Sequence, residues 1–357
     1  MINVTRPFLP PIEEFYEYLD GIWARDYLTN NGPLVRELEQ KLREYLGVDH
    51  LLFVGNGTLA LQLAIKALSL EGDVLTTPFS YIATLSSLVW ENCKPVFVDI
   101  DPKTLNMDSA LIEKSITAET SAILATHVFG NPCDIDAIRD IAQRNGLKVI
   151  YDAAHCFSTE HKGTSVLNYG DISCISFHAT KLFHTVEGGA VVTTSEDLHE
   201  RLFHMRNFGH AGFYKYRGVG INGKNSEFHA AMGLCNLKYI NIIREKYRAH
   251  YEQYDRLLDF DEISKPVIGQ HAGFNYSYYP ILFRTEGACT DAMKELEAVK
   301  VNPRRYFYPS LNRIDYAAGQ SCPSAEDVSM RILCLPLYYE LEQDQIKIIC
   351  DCINKAR

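Results

Sequence analysis

From residue 51 onward the chain alternates short, β-branched apolar runs with amphipathic helical segments, and this alternation constrains the fold more than any other feature. Strands are expected at 51–54, 74–77, 95–99, 121–126, 148–152, 172–176 and 190–194. Helical patterns fill most of the gaps, at 59–70, 82–91, 109–116 and 135–145. A strand covered on both faces reads as a continuous apolar run, and a parallel neighbour is reached only through a long crossover, usually a helix. The reading is therefore an α/β fold with a mainly parallel seven-stranded sheet and helices on both faces. Two helices, 12–25 and 34–46, precede the sheet and are separated by the turn-rich Leu28-Thr29-Asn30-Asn31-Gly32-Pro33. A long helical stretch near 226–256 follows and leads to a smaller C-terminal α+β domain. At 357 residues the chain suits two such parts, which we place at 1–245 and 246–357.

Charge narrows the function. Thirty-five basic against 45 acidic residues give a net charge of −10, which argues against general nucleic-acid or anionic-membrane binding. An anionic substrate must then be met by a local basic pocket. The ten cysteines are scattered, the closest pair being Cys350-x-Cys352, so reduced thiols are expected rather than a disulfide framework or a metal site. No secretory segment or membrane span is visible, so the expected location is the cytoplasm.

Lys181 is the residue most suggestive of chemistry. It follows the apolar run Ile172-Ser173-Cys174-Ile175-Ser176-Phe177 and so emerges at the edge of a buried sheet. Desolvation lowers the proton affinity of an amine and makes it the nucleophile that condensation with a carbonyl requires. Asp152 closes the strand Val149-Ile150-Tyr151-Asp152, the end at which α/β folds hold ligands. A reactive lysine plus a carboxylate facing a pyridine nitrogen is what a protein contributes to pyridoxal 5′-phosphate (PLP) chemistry. Supporting signals are weaker singly. Gly55-Asn56-Gly57-Thr58 links the first strand to a helix, a place where free amides attract phosphate, and Ser176 offers a hydroxyl nearby. Tyr81 could stack on a planar ring or pack in the core, and His155 could reach a phenolic oxygen or be a structural histidine.

Taken in order, these motifs resemble the DegT/DnrJ/EryC1/StrS family of nucleotide-sugar aminotransferases, which have PLP fold type I. The resemblance also covers Glu187-Gly188-Gly189, Gly220-Ile221-Asn222-Gly223-Lys224-Asn225 and Arg305-Tyr306-Phe307-Tyr308-Pro309. It implies that Lys181 carries the cofactor and that Asp152 pairs with the ring nitrogen. His155 is placed near the ring hydroxyl, Tyr81 on the ring face, and Gly57, Thr58 and Ser176 on the phosphate. Asn222 matches a residue that completes the phosphate site from the partner subunit, implying a homodimer with shared active sites. His184, Arg217, Lys224, Arg304, Arg305 and Tyr306 become candidates for the sugar nucleotide.

Lys224, His184 and Ser310-Leu311-Asn312 depart from common family residues, which bears on the substrate rather than the cofactor. The implied reaction moves the amino group of L-glutamate to a keto-sugar nucleotide. The variants at these motifs look most like members acting on dTDP-4-keto-6-deoxy-D-glucose for O-antigen or glycoside biosynthesis. Amination at C-3 of a dTDP-3-keto-6-deoxyhexose is the alternative, and a non-catalytic PLP-binding regulator a remoter one. Sugar dehydratases related to the family replace the lysine with histidine, so Lys181 argues against that chemistry.

Overall fold

The computed structural model describes residues 1–317 and 319–355. The central sheet contains β1 (His50–Val54), β2 (Asp73–Thr76), β3 (Lys94–Phe97), β4 (Thr120–Thr126), β5 (Lys148–Asp152), β6 (Ile172–Ser176) and β7 (Gly189–Thr193). Their spatial order is β1-β7-β6-β5-β4-β2-β3. All pairs are parallel except those of β7, which runs antiparallel to both β1 and β6. Each expected strand forms, with ends shifted by a residue or two. Pro95, which lacks an amide proton, sits in β3 at the sheet edge, where the missing donor breaks no central ladder.

Helices α1 (Ile12–Arg25), α2 (Pro33–Leu46), α3 (Gly57–Ala67), α4 (Ile82–Trp90), α5 (Ser109–Ser115), α6 (Ile135–Asn145), α7 (Glu196–Met205) and α8 (Glu227–Leu257) accompany the sheet. Strand periodicity of two divides the side chains between its faces. Leu52, Val54, Val74, Ala122, Leu124, Ile150, Cys174 and Val191 pack with residues of α3, α4 and α7. Leu51, Phe53, Leu75, Ile123, Tyr151, Ile175 and Val192 pack with α2, α6 and α8. Both faces are therefore covered, as the unbroken apolar runs require.

Glu227, at the start of α8, is buried, and its carboxylate accepts from the amides of Leu34 and Val35 at 3.0 Å each. It caps α2, whose own N-cap, Gly32, has no side chain to do so. Helix α8 runs unbroken for 31 residues and leads to a second, antiparallel sheet of β8 (Ile263–Ser264), β9 (Tyr279–Phe283) and β10 (Ile332–Leu335) in that order. Helices α9 (Glu286–Ala298), α10 (Pro323–Arg331) and α11 (Gln343–Lys355) complete this part. No helix among the described residues is long and apolar enough to cross a membrane, and no group of three or more potential metal ligands occurs among them.

Candidate active site

The parallel strands end at one edge of the sheet, and a cavity of about 460 Å³ opens there. Thr126 closes β4, Asp152 closes β5 and Ser176 closes β6, each at a position that continues the α3/α4-facing register of its strand. All three line the cavity. The segment after β1 adds Asn56, Gly57 and Thr58, that after β2 adds Ser80 and Tyr81, and that after β6 adds His178, Thr180 and Lys181. Residues from outside the main sheet, Tyr278, Arg304, Tyr306 and Phe307, form the opposite wall.

Helix α3 begins two residues earlier than the sequence pattern indicates. Asn56 is its N-cap, with Oδ1 accepting from the Leu59 amide at 2.8 Å. This places the amides of Gly57 and Thr58 in the first turn, with no protein acceptor among the described residues. Free amides at the positive end of a helix dipole form an anion site. The Ser176 hydroxyl adjoins it, a Cβ built on Gly57 lying 3.4 Å from Ser176 Oγ and 3.0 Å from its Cβ. Glycine at 57 keeps this cradle open.

Asp152 is buried, with Oδ2 accepting from Thr84 Oγ1 at 2.7 Å and Oδ1 from the Ala154 amide at 3.1 Å. Burial raises its proton affinity, while those two hydrogen bonds and the Lys181 amine oppose the rise. Lys181 Nζ donates to Tyr278 Oη at 3.1 Å. Burial pushes the lysine below its usual range against the attraction of Asp152, which favours the neutral, nucleophilic amine. His155 Nδ1 accepts from the Phe129 amide at 3.1 Å, so the neutral ring carries its proton on Nε2 as a donor. Burial holds this ring well below the usual histidine range. Tyr81 is 59 % exposed at the mouth of the cavity, which excludes core packing and leaves its ring face available.

The structure thus brings Gly57, Thr58, Tyr81, Asp152, His155, Ser176, Lys181, Arg304 and Tyr306 together. It does not bring the other expected residues to this cavity. His184 is buried, its Nε2 2.7 Å from the Phe8 carbonyl oxygen, with its own carbonyl accepting from Asn236 at 2.9 Å. Arg305 pairs with Glu286 at 3.1 Å and lies over the Tyr308 ring. Arg217 pairs with Glu200. Asn222 Oδ1 accepts from Lys224 Nζ at 2.6 Å on an exposed segment. By contrast, the exposed Arg304 guanidinium has no ion-pair or hydrogen-bond partner among the described residues. Sequence reasoning missed Tyr278, Thr84 and Asn56. Only Asn56 carried a legible signal, an N-cap residue at a strand-to-helix turn.

Donor amides, a hydroxyl, a depressed lysine and a buried carboxylate around one cavity suit a phosphorylated, cationic aromatic aldehyde, and PLP matches that donor set. The DegT/DnrJ/EryC1/StrS aminotransferase model matches residues 11–354. The chain belongs to this family. It is an aminotransferase. It is 44% identical over 365 residues to the dTDP-4-amino-4,6-dideoxy-D-glucose transaminase of Shigella dysenteriae, covering 100% of this chain and 99% of that one. A protein of the same name from Escherichia coli is 39% identical over 356 residues, with 96% and 95% covered. Among solved structures, DesI with its TDP-sugar product superposes with a TM-score of 0.94 at 33% identity, covering 100% of this aminotransferase and 94% of DesI.

Proposed function

We propose that this aminotransferase carries PLP on Lys181 and moves the amino group of L-glutamate to dTDP-4-keto-6-deoxy-D-glucose, giving dTDP-4-amino-4,6-dideoxy-D-glucose. The observation that carries this reading is the pairing of the Lys181 amine and the Asp152 carboxylate on one cavity at the carboxyl ends of the strands. The names of the two relatives above support the choice of sugar.

When bound, PLP supplies an electron sink for the bond broken at the donor's α-carbon. The chain's residues have separate tasks. Asp152 holds a proton on the ring nitrogen, and His155 Nε2–H donates to the ring hydroxyl oxygen. Gly57, Thr58 and Ser176 bind the phosphate, Tyr81 covers the ring face, and the partner subunit's Asn222 completes the phosphate site in a homodimer. The freed Lys181 amine takes the proton from the glutamate α-carbon and returns one to the sugar C-4 in the second half-reaction. Arg304, whose guanidinium has no partner among the described residues, meets the anionic part of the substrate, with Tyr306 beside it. Arg217 and Lys224 sit on the exposed segment that also carries Asn222 and serve the partner's site. We assign residues 1–245 to cofactor binding and 246–357 to the smaller domain. We place the reaction in the cytoplasm, in O-antigen or glycoside biosynthesis.

The test is spectroscopic. Protein loaded with PLP should lose its visible absorbance on adding L-glutamate and regain it with the keto-sugar nucleotide, and Lys181→Ala should abolish turnover. Turnover by Lys181→Ala near the wild-type rate would refute the assignment.

A further inference from the structure

Three buried hydroxyls lead to Asp152. Thr126 Oγ1 donates to Ser80 Oγ at 3.0 Å, Ser80 and Thr84 hydroxyl oxygens lie 2.7 Å apart, and Thr84 donates to Asp152 Oδ2 at 2.7 Å. Each oxygen comes from a different element: the end of β4, the segment after β2, and the first turn of α4. All four residues are at most 6 % exposed.

The direction of the chain follows from proton counting. An ionised carboxylate only accepts, so the single Thr84 proton points at Asp152. Thr84 must then accept from Ser80, which in turn accepts from Thr126. Three aligned O–H dipoles converge on one carboxylate oxygen, and such chains polarise one another in a low-dielectric interior. A proton on Asp152 Oδ2 would instead be donated to Thr84, and the alignment would be lost. We propose that Thr126, Ser80 and Thr84 form a positioning relay that holds Asp152 ionised and aimed into the cavity, so that it retains its charge for the cofactor ring at the acidic end of the working pH range. The proposal rests on the assignment of Asp152 to the ring nitrogen. The other groups facing Asp152 are the Lys181 amine, the Ala154 amide, and the Cys174 and Cys156 thiols; His155 lies in its own loop. The thiols are held neutral by burial, and Lys181 is common to every variant compared below.

The experiment measures PLP affinity of stripped protein against pH, alongside kcat/KM. Thr84→Val keeps the side-chain shape but removes the donor. It should move the pH below which affinity falls upward by about one unit, equivalent to about tenfold weaker binding on the acid side. Thr84→Ser should stay near wild type, and Ser80→Ala should shift in the same direction by less. Asp152→Asn should remove the part of the limb that Asp152 sets, leaving the acid fall that protonation of Lys181 and of the cofactor's own groups gives every variant. If Asp152→Asn keeps the wild-type limb, the assignment of Asp152 itself fails. If Asp152→Asn removes that part of the limb while Thr84→Val leaves it in place, the relay fails. A Thr84→Ser loss as large as that of Thr84→Val would show packing, which also overturns the relay. Should Thr84→Val not fold, Ser80→Ala decides by the same limb.

Discussion

Gly57→Ala tests whether the first turn of α3 holds a phosphate. A methyl at 57 would sit 3.0 Å from Ser176 Cβ, 3.4 Å from Oγ and 3.5 Å from Cα. Ser176 is the last residue of β6 and is held in register with Gly189 of β7, which limits how far its Cβ can retreat. Behind the turn, Gly189 is tighter still: a Cβ there would lie 2.6 Å from the Asn56 carbonyl carbon. The helix start must therefore move outward or the Ser176 hydroxyl must turn. Overpacking of this kind costs about 1–3 kcal/mol of stability. Losing one hydrogen bond to a charged phosphate costs about 1.5–3 kcal/mol of binding, so PLP affinity should fall about ten- to a hundredfold. Gly55→Ala is the control, because its new methyl meets only the flexible end of Leu59, at 3.1 Å, with the next neighbour at 3.8 Å. Stripped proteins titrated with PLP and followed by absorbance give the affinities, and urea midpoints give the stabilities. Gly57→Ala binding within twofold of wild type, or a Gly55→Ala loss of equal size, would refute the cradle.

Three further outcomes follow from the same structure. Glu227→Gln puts an amide NH₂ where two backbone amides seek an acceptor, so it should cost about 1–3 kcal/mol in urea unfolding, and an unchanged midpoint would contradict the capping role. Buried His127, whose Nδ1 accepts from the Cys133 amide at 3.0 Å, is lowered from 6.5 to about 3. The unfolded chain binds that proton first, so stability is fully present above about pH 6.5 and declines below it by up to about 1.4 kcal/mol per pH unit. His127→Phe should flatten that slope, which urea unfolding at pH 7 and pH 5 would show. Finally, co-expressed Lys181→Ala and Asn222→Ala chains should recover about half of wild-type activity as mixed dimers, because both lesions fall in one shared site; no recovery in verified mixed dimers would place Asn222 in its own chain's site.

The sheet was legible because its strands are apolar on both faces, so seven runs such as Ala122–Ala125 stand out from their polar flanks. Helix ends were less so. The pattern starts α3 at Leu59, the first apolar residue, whereas the Asn56 cap starts it at Gly57, and those two extra residues are the candidate phosphate site. Lys181 and Asp152 were visible as charges at the ends of apolar strands. Tyr278 was not, since it reaches Lys181 from 97 residues away and sits in an aromatic run with nothing to distinguish it. Thr84 was also invisible: a threonine in the first turn of a helix is ordinary until the fold sets it against a buried carboxylate. His184 and Arg305 show the converse. Each sits in a motif near the expected site, yet hydrogen bonds and an ion pair that no local pattern encodes hold them elsewhere.

The central claim is amination at C-4 of a dTDP-linked sugar. Its most direct measurement is NMR of the product formed from L-glutamate and dTDP-4-keto-6-deoxy-D-glucose by the PLP-loaded protein. The account predicts a new amine on C-4, in dTDP-4-amino-4,6-dideoxy-D-glucose, with 2-oxoglutarate released in equal amount. Unreacted 4-keto sugar beside efficient amination of a dTDP-3-keto-6-deoxyhexose would contradict it.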